Sequence, residues 1–389
     1  MGIKEIVIFQ KRLTDIGGGE IFALNLLNTN NVANGYNLVM IVLTISDKSR
    51  RYIDEHYCNL ADKIIVLNTI STIDSIKVLH RYYKENNVFF TISSYGYKEL
   101  FIVNRLISIN YYILYHDLVV LEEFSNQKYS FLVRRYAECI FSKDFFSHLY
   151  GKKVSFIKNT MHTLNYFLTK VMLIDATRVC VLSKISANEK KALYNINPLI
   201  IKAALTEECI SDNGSMQKEK YFLSVARLVK KKNIHKIIFG FHEYLKKYEN
   251  NYVLKIVGSG PYREDLIELV DELGIKKYVK FYGFVSHEEK VNLYNHASLF
   301  LCLDDADYDL TFYEALASKT QVLCSEAFEV ETPLIDNNNV LKTRLDSFTI
   351  AYNINKSLSK VANWDYMENY LIKNVSFENY IKRLIQINT

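Results

Sequence analysis

Residues 253–283 read VLKIVGSGPYREDLIELVDELGIKKYVKFYG, and this stretch decides the fold class. An apolar run, Val253–Val257, leads through a glycine-containing turn into Asp265–Leu273, where apolar residues recur at helical spacing until Gly274. A second apolar run, Val279–Tyr282, follows. Two short apolar runs joined by an amphipathic helix predict two strands of a parallel sheet with the helix packed on its face.

The same alternation extends along the chain in both directions. Ser286 and Glu289 form a capping-box pattern, which predicts the start of another helix. Further predicted strands are Ile3–Phe9, Leu38–Leu43, Lys63–Leu67, Val88–Ile92, Tyr111–Tyr115, Arg178–Leu182, Tyr221–Ala226, Leu299–Leu303 and Gln321–Cys324. We therefore expect an α/β protein whose parallel sheets are covered on both faces.

The chain is long enough for two or three domains, since it has 389 residues. Residues 206–220, TEECISDNGSMQKEK, are polar and predict a linker. This places an N-terminal α/β domain at 1–205 and a C-terminal one at 221–363. The last segment, 364–389, has helical spacing and can pack back on the N-terminal domain.

Composition excludes several classes of protein. The net charge of +5, from 48 basic and 43 acidic residues, is far below that of a dedicated nucleic-acid binder, so we expect no nucleic-acid partner. The six cysteines show neither zinc-ligand spacing nor a disulfide framework, which predicts a reducing cytoplasm and no metal site. The N-terminus, Met1–Gln10, has no signal-peptide pattern, and no apolar stretch is long enough to span a membrane.

Open parallel sheets bind ligands at the carboxyl ends of their strands, so the loops after the strands are the informative positions. Gly17, Gly18 and Gly19 follow the first strand and open a helix, where free backbone N–H groups can hold a phosphate. A tight turn of purely structural origin explains the same pattern.

The loop after Tyr221–Ala226 contains Arg227 and Lys232 just before a helix. Two cations beside the positive end of a helix dipole suit a diphosphate, although a solvated basic turn has the same composition. The next two strands end in Gly258-Ser259-Gly260-Pro261 and in Tyr282-Gly283-Phe284. Three such loops on consecutive strands favour a nucleotide or nucleotide-sugar site over unrelated turns.

The C-terminal half resembles the donor-binding half of retaining glycosyltransferases of the GT-B fold, family 4. The similarity rests on SVARLVKKKN, LKIVGSGPYREDLIELVDELGI, VKFYGFVSHEEKVNLYNHASLFLCL and FYEALASKTQVLCS, within residues 224–325. The loop at Gly17–Glu20 resembles the glycine-rich loop of the family's N-terminal domain. This resemblance implies two Rossmann-like domains with the active site between them and a nucleotide-diphosphate sugar as donor, with no other cofactor.

The resemblance also implies roles for single residues. Arg227 and Lys232 would hold the donor diphosphate, Glu314 the nucleotide ribose, and His116 would lie near the donor sugar. Those four are the implied catalytic residues. The implied donor-binding positions add Gly17, Gly18, Gly19, Gly258, Gly260, Gly283, Phe284, Asp307, Asp309, Leu310 and Thr311.

One loop departs from the family pattern. The family's E-x7-E motif ends at Glu314, but its first position is Ala306, and Asp307-Tyr308-Asp309 replaces the usual Gly-aromatic-Gly. Carboxylates here either oppose the donor phosphates or point to solvent in a rearranged loop. The function implied is transfer of a sugar to a surface glycan such as lipopolysaccharide, capsule or a lipid-linked oligosaccharide; the alternative is an inactive GT-B homologue that serves as an accessory subunit.

Residues 125–160 carry seven basic and two acidic residues interleaved with phenylalanines. Such a face suits an anionic membrane that carries a lipid-linked acceptor. Phenylalanines buried in the core, with the basic residues on its solvent-exposed side, give the same composition. We accordingly expect a cytoplasmic protein, with peripheral contact at the inner face of the cytoplasmic membrane as a further possibility.

Overall fold

The computed structural model describes residues 3–14, 16, 18–29, 35–69, 71–115, 156–211, 216–248, 251–304 and 308–388. It divides the chain into two compact units, one of residues 1–203 with 377–389 and one of residues 204–376. Each unit contains one parallel sheet with helices between its strands. The predicted fold class, two Rossmann-like α/β domains, is confirmed.

The elements before the division are, in chain order, β1 (Lys4–Leu13), α1 (Gly18–Leu27), β2 (Tyr36–Ile45), α2 (Asp47–His56), β3 (Ile64–Val66), α3 (Thr72–Glu85), β4 (Val88–Tyr95), α4 (Tyr97–Ile107), β5 (Tyr111–Tyr115), α5 (Phe156–Asp175), β6 (Arg178–Val181), α6 (Lys184–Tyr194) and β7 (Leu199–Ile200). Those after it are α7 (Glu207–Ser211), β8 (Glu219–Val225), α8 (Ile234–Tyr248), β9 (Val253–Val257), α9 (Arg263–Glu272), β10 (Val279–Gly283), α10 (His287–His296), β11 (Ala297–Cys302), α11 (Leu310–Ala317), β12 (Val322–Ser325), α12 (Thr332–Asp336), β13 (Val340–Thr343), α13 (Ser347–Leu358) and α14 (Trp364–Val375). The last helix, α15 (Phe377–Asn388), returns to the first unit.

The first sheet has the strand order β3-β2-β1-β4-β5-β6-β7 and the second the order β10-β9-β8-β11-β12-β13, all parallel. Helices cover both faces, so central strands are buried continuously; Ile6 to Phe9 of β1 have almost no solvent exposure. In the second sheet the order reverses between β8 and β11. Ligands of doubly wound sheets bind at the carboxyl side of such a switch point.

The sequence missed two strands, β7 and β13. Two residues, Leu199 and Ile200, carry too little periodicity to indicate a strand, and β13 follows an asparagine run that is typical of a loop. The capping box was placed correctly, because the Ser286 side chain accepts a hydrogen bond from the Glu289 backbone N–H at 3.1 Å.

The C-terminal segment differs from the expected single helical unit. Ser376 separates α14 from α15; α14 belongs to the second unit and α15 to the first. On α15, Phe377 and Tyr380 pack edge-on against Phe22 of α1. Within the predicted linker 206–220, the structure places α7 and the start of β8 in the second unit. Among the described residues, no helix combines the length and the apolar character needed to cross a membrane.

Candidate functional site

The loop after β8 contains two basic residues, Arg227 and Lys232, in different surroundings. A 3-10 turn at Lys230–Lys232 ends at Asn233, whose left-handed backbone (φ 53°) redirects the chain into α8. The side-chain amide of Asn233 donates to the Leu303 carbonyl at 2.9 Å, which fixes this turn against the end of β11. Arg227 is exposed and, within the described part of the chain, forms no ion pair.

Lys232 lies between two carboxylates. Its ammonium group hydrogen-bonds Asp304, and it reaches Asp309 at 2.7 Å. Asp304 is the second residue after the end of β11, and its backbone carbonyl accepts from the Ser325 hydroxyl at 2.9 Å. The side chain of Lys232 therefore joins the loop after β8 to both sides of the loop after β11.

Asp309 also caps α11. Its Oδ1 accepts from the Thr311 backbone N–H at 2.9 Å and from the Thr311 hydroxyl at 2.7 Å, while its Oδ2 faces Lys232. A carboxylate at a helix N-terminus occupies the position in which such a helix otherwise holds an external anion. Of the two sequence alternatives for Asp309, a side chain directed to solvent is wrong, because its carboxylate pairs with Lys232.

The electrostatics of this cluster follow from burial and charge. Burial lowers the pKa of Lys232, but the carboxylates of Asp309 and Asp304 outweigh it and hold that pKa above its ordinary value. Burial raises the pKa of Asp304 to about 6 against the opposing effect of Lys232. For Asp309, burial is outweighed by Lys232 and by the Thr311 hydrogen bonds, which together lower its pKa. The cluster is thus one cation shared by an easily protonated carboxyl and a firmly ionised one.

Cys302, Asp304 and Asp309 form the one group in the described ranges with enough potential metal ligands close together. The ammonium of Lys232 already lies among them and bonds both carboxylates. Burial raises the pKa of the Cys302 thiol, which keeps it protonated. The Lys232 ammonium therefore balances the charge of these potential metal ligands.

Gly258 and Gly260, in the loop after β9, are explained by their close contact with the loop after β8. A Cβ added to Gly258 would lie 1.9 Å from the Ala226 carbonyl oxygen, and one added to Gly260 would lie 2.3 Å from the Leu228 carbonyl oxygen. The Leu228 N–H donates to the Ser259 carbonyl at 2.9 Å, so the loops after β8 and β9 pack backbone to backbone. These glycines are required by the neighbouring loop, whatever ligand the loops bind.

At the end of β10, Gly283 has φ 71° and accepts a hydrogen bond from the Gly258 N–H at 2.7 Å. Phe284, directly after it, is 79% exposed. An uncovered phenylalanine of this kind at the ligand-binding edge of the sheet can stack on a planar base.

Glu314 lies on α11, five residues after Asp309. Lys290 donates to its Oε1 at 2.7 Å and the Tyr294 hydroxyl donates to its Oε2 at 3.1 Å, both from α10. These two partners were not predicted from the sequence. Because an ionised carboxylate offers about four lone-pair sites, two remain to accept hydroxyl groups.

The structure thus brings Lys232, Asp309 and Thr311 into one cluster and puts Leu310 and Glu314 on the helix that Asp309 caps. It also joins Gly258 to Gly283. In the first unit, Gly18 and Gly19 begin α1. Gly17, His116, Ala306 and Asp307 lie outside the described residues, as does most of the basic segment 125–160. Asp304 was missed as a site residue; its signal was a carboxylate immediately after a buried strand.

Comparison with known proteins supports the resemblance found in the sequence. Residues 206–375 match the family described as Glycosyl transferases group 1. Over 124 residues the chain is 34% identical to the alpha-monoglucosyldiacylglycerol synthase of Streptococcus pneumoniae; the alignment covers 32% of this chain and only 28% of that protein.

Two solved structures resemble nearly the whole chain. A glycosyltransferase from Rickettsia africae has a TM-score of 0.67 at 13% identity, covering 99% of this chain and 98% of that one. Anabaena HepE, in complex with UDP and glucose, has a TM-score of 0.62 at 14% identity, covering 98% and 96%. Likeness at such identities shows the fold. The second unit of this chain therefore matches the glycosyl transferases group 1 family, and the chain has a GT-B fold of two Rossmann-like units.

Proposed function

We propose that the protein is a glycosyltransferase that moves a sugar from a nucleotide-diphosphate donor to a lipid-linked or surface-glycan acceptor. The observation that carries this proposal is the convergence of the loops after β8, β9, β10 and β11 at the switch point of the second sheet. They present an exposed cation, an exposed aromatic side chain and a carboxylate with free lone pairs along one edge of the sheet.

In the proposed reaction, Arg227 binds the donor diphosphate and offsets the negative charge that grows on it as the glycosidic bond breaks. Stabilising such a leaving group is generally the largest catalytic contribution in chemistry of this type. Arg227 is suited to this role because its guanidinium is exposed and uncompensated by any described carboxylate. Lys232 can assist only by sharing its charge with Asp304 and Asp309.

Glu314 is proposed to accept hydrogen bonds from the ribose hydroxyls. Lys290 and Tyr294 hold the carboxylate from α10, so it is oriented before a ligand arrives. Phe284 would stack on the base. We propose, from the family resemblance, that the transfer retains the anomeric configuration and uses no metal ion.

The acceptor class is supported by the name of the related protein. The Streptococcus pneumoniae relative is a synthase of a glucosylated diacylglycerol, and the aligned region lies within one third of this chain. A lipid-linked acceptor would place the protein at the inner face of the cytoplasmic membrane while it works. UDP is the first nucleotide to test, because HepE was crystallised with it.

The donor site is tested by thermal unfolding with UDP-sugars, other nucleotide sugars and free nucleotides. A ligand at 100 times its Kd stabilises the folded protein by about 2.7 kcal/mol. We expect one nucleotide class to raise the Tm of the parent and of Arg178→Ala, an exposed arginine of the first unit, but not that of Arg227→Ala. If no nucleotide raises the Tm, or if Arg227→Ala responds like the parent, the donor site is wrongly assigned.

Transfer is tested separately, by following release of the nucleoside diphosphate from the stabilising donor with diacylglycerol or extracted membrane lipid as acceptor. Release that depends on both acceptor and Arg227 supports the proposal. Donor binding without release in the presence of these acceptors would contradict a transferase and favour an accessory subunit.

A further inference from the structure

Gln10 of β1 is a buried polar side chain without a hydrogen-bond partner. It is 1% exposed, and neither its Oε1 nor its Nε2 bonds any group in the described part of the chain. A buried amide that bonds nothing destabilises the fold, so native proteins contain few such groups, and each of them needs an explanation. Conflicts of this kind are expected at functional sites, where they are retained for binding or catalysis.

Gln10 lies at the switch point of the first sheet. The strand order reverses between β1 and β4, which are neighbours in that sheet. Gln10 pairs with Tyr95, the last residue of β4. Doubly wound sheets bind ligands outside the carboxyl ends of their strands at such a point. The unbonded amide is therefore at the edge where the first unit is expected to bind a ligand.

The side chain of Gln10 lies on the face of the sheet that α1 and α15 cover. Ile8, two residues earlier on the same face, pairs with Ile92, which in turn pairs with Tyr112. Tyr112 lies beside Tyr380 of α15, the helix that packs on α1. Gln10 thus points to the side of the sheet on which α1 begins, directly after the glycine-rich loop.

Burial along this face of β1 decreases toward the carboxyl edge. Ile8 and Gln10 are buried, whereas Arg12, the next residue on the same face, is exposed. Two residues of a strand span about 7 Å. Gln10 is therefore the innermost polar side chain below an open rim, at a depth that one sugar-sized group can reach past Arg12.

The chemistry of an amide selects the group that would satisfy it. The Oε1 of Gln10 only accepts hydrogen bonds and its Nε2 only donates them. An ionised phosphate accepts but does not donate, and an ammonium donates but does not accept, so each would leave one atom of the amide unbonded. A hydroxyl group does both. Because a glycosyl acceptor reacts through a hydroxyl group, the acceptor supplies the matching chemistry.

We propose that Gln10 is a specificity-determining residue that binds a hydroxyl group of the acceptor. This inference rests on the proposed function, because the acceptor is the one of that transfer. The hydroxyl group belongs to a glycerol lipid or to a glycan, and the two arms of the test distinguish these sources. Gln10 thereby lowers the stability of the unliganded first unit and selects for a free hydroxyl group.

The first measurement is the Tm of the unliganded full chain. Gln10→Met keeps the volume of the side chain and removes the unbonded amide, so the Tm should rise by about 2–6 °C. The matched control is Asn353→Leu. Asn353 is also buried, but its amide donates to the Thr343 hydroxyl oxygen at 3.0 Å, so this variant should have a lower Tm than the parent.

The second measurement is calorimetric titration with two soluble probes, dioctanoylglycerol for the lipid and octyl glucoside for the glycan. Each probe is compared with the same molecule after acetylation of its hydroxyl groups. We expect the parent to bind one probe at least tenfold more tightly than its acetylated form. In Gln10→Met this ratio should be at least tenfold smaller, whereas Asn353→Leu should keep the parental ratio. The probe that shows the effect identifies the source of the hydroxyl group.

Three results would overturn the proposal. The parent binds neither probe more tightly than its acetylated form, Gln10→Met keeps the parental ratio, or Gln10→Met has a lowered Tm. The last result would mean that the amide has a partner within the protein. The nucleotide-dependent rise in Tm is measured on the parent and both variants. Its absence in the parent contradicts the donor site, whereas its persistence in Gln10→Met shows that any change in hydroxyl selection arises in the first unit alone.

Discussion

Asp309 is expected to weaken donor binding, and Asp309→Asn should therefore strengthen it. The parent carboxylate faces the same lysine that the family resemblance assigns to the donor diphosphate. Asparagine is as good an N-cap as aspartate, so the hydrogen bond from the Thr311 backbone N–H should persist. Lys232 retains Asp304 as a partner, which leaves a one-to-one ion pair after the substitution.

The size of the effect follows from Coulomb's law. One diphosphate charge about 8 Å from the Asp309 carboxylate, at an effective dielectric constant of about 20, is repelled by about 2 kcal/mol. Removing that repulsion corresponds to roughly a thirtyfold lower Kd. The substitution also removes one of the two carboxylate partners of Lys232. This further lowers the Kd, because the ammonium becomes available to the phosphate.

The assay is isothermal titration of the donor identified by thermal shift, at low and at high salt. Asp346→Asn is the matched control: Asp346 also caps a helix, accepting from the Thr349 N–H at 2.9 Å, but it has no lysine ion pair among the described residues. We expect tighter binding in Asp309→Asn only, with the gain reduced by salt. If Asp309→Asn binds the donor no better than the parent, or if Asp346→Asn gains equally, the carboxylate does not oppose the donor and the reasoning is wrong.

Three other predictions concern the same unit. Lys232→Met should lower the free energy of unfolding by about 3–5 kcal/mol at pH 7, because it leaves two buried carboxylates without a cation. Chemical denaturation should show a smaller loss near pH 5, where Asp304 can protonate. Gly258→Ala should cost about 2–5 kcal/mol because its Cβ meets the Ala226 carbonyl, whereas Gly274→Ala, with positive φ but open space, should cost about 1–2 kcal/mol in the same denaturation experiment. Donor affinity should fall severalfold as pH rises from 6 to 8. A bound diphosphate raises the pKa of Asp304 above its value of about 6 in the unliganded protein, so binding takes up protons and is weaker at higher pH. Titration calorimetry should show that the donor affinity of Asp304→Asn does not change over this pH range.

Periodicity and turn residues predicted most of the fold, because they depend on neighbours in sequence. The strand Val253–Val257 and the capping box at Ser286 were placed from local pattern. The two-residue strand Leu199–Ile200 could not be placed in this way, since pairing with β6 rather than its own pattern makes it a strand. The break at Ser376 was missed for a similar reason: α14 and α15 both have helical spacing, and only packing in different units separates them.

The candidate site was predictable in its residue types but not in its pairing. Arg227, Lys232 and Glu314 were singled out because they follow strands or match a motif. The partners of Lys232 lie 72 and 77 residues away, and those of Glu314 lie on another helix. Such contacts depend on how the strands are ordered in the sheet. Gly258 and Gly260 were also predicted as residues but not in their contacts. The sequence indicated loops near a ligand, whereas the structure shows that these glycines allow two loops to pack against each other.

The pairing of Lys232 changes where donor recognition must come from. With Asp304 and Asp309 ionised, the three side chains carry a net charge of −1, whereas a free lysine in this position would carry +1. This deficit of two charges leaves Arg227 as the residue of this loop that the family resemblance assigns to the diphosphate and that keeps its full charge. Arg227, like Lys230, is exposed and pairs with no described carboxylate. A donor diphosphate that binds here must either rely on Arg227 or draw Lys232 away from Asp309. Arg227→Ala in the parent should consequently abolish donor binding, but in the Asp309→Asn background it should only weaken it, since the released lysine then supplies a second positive charge.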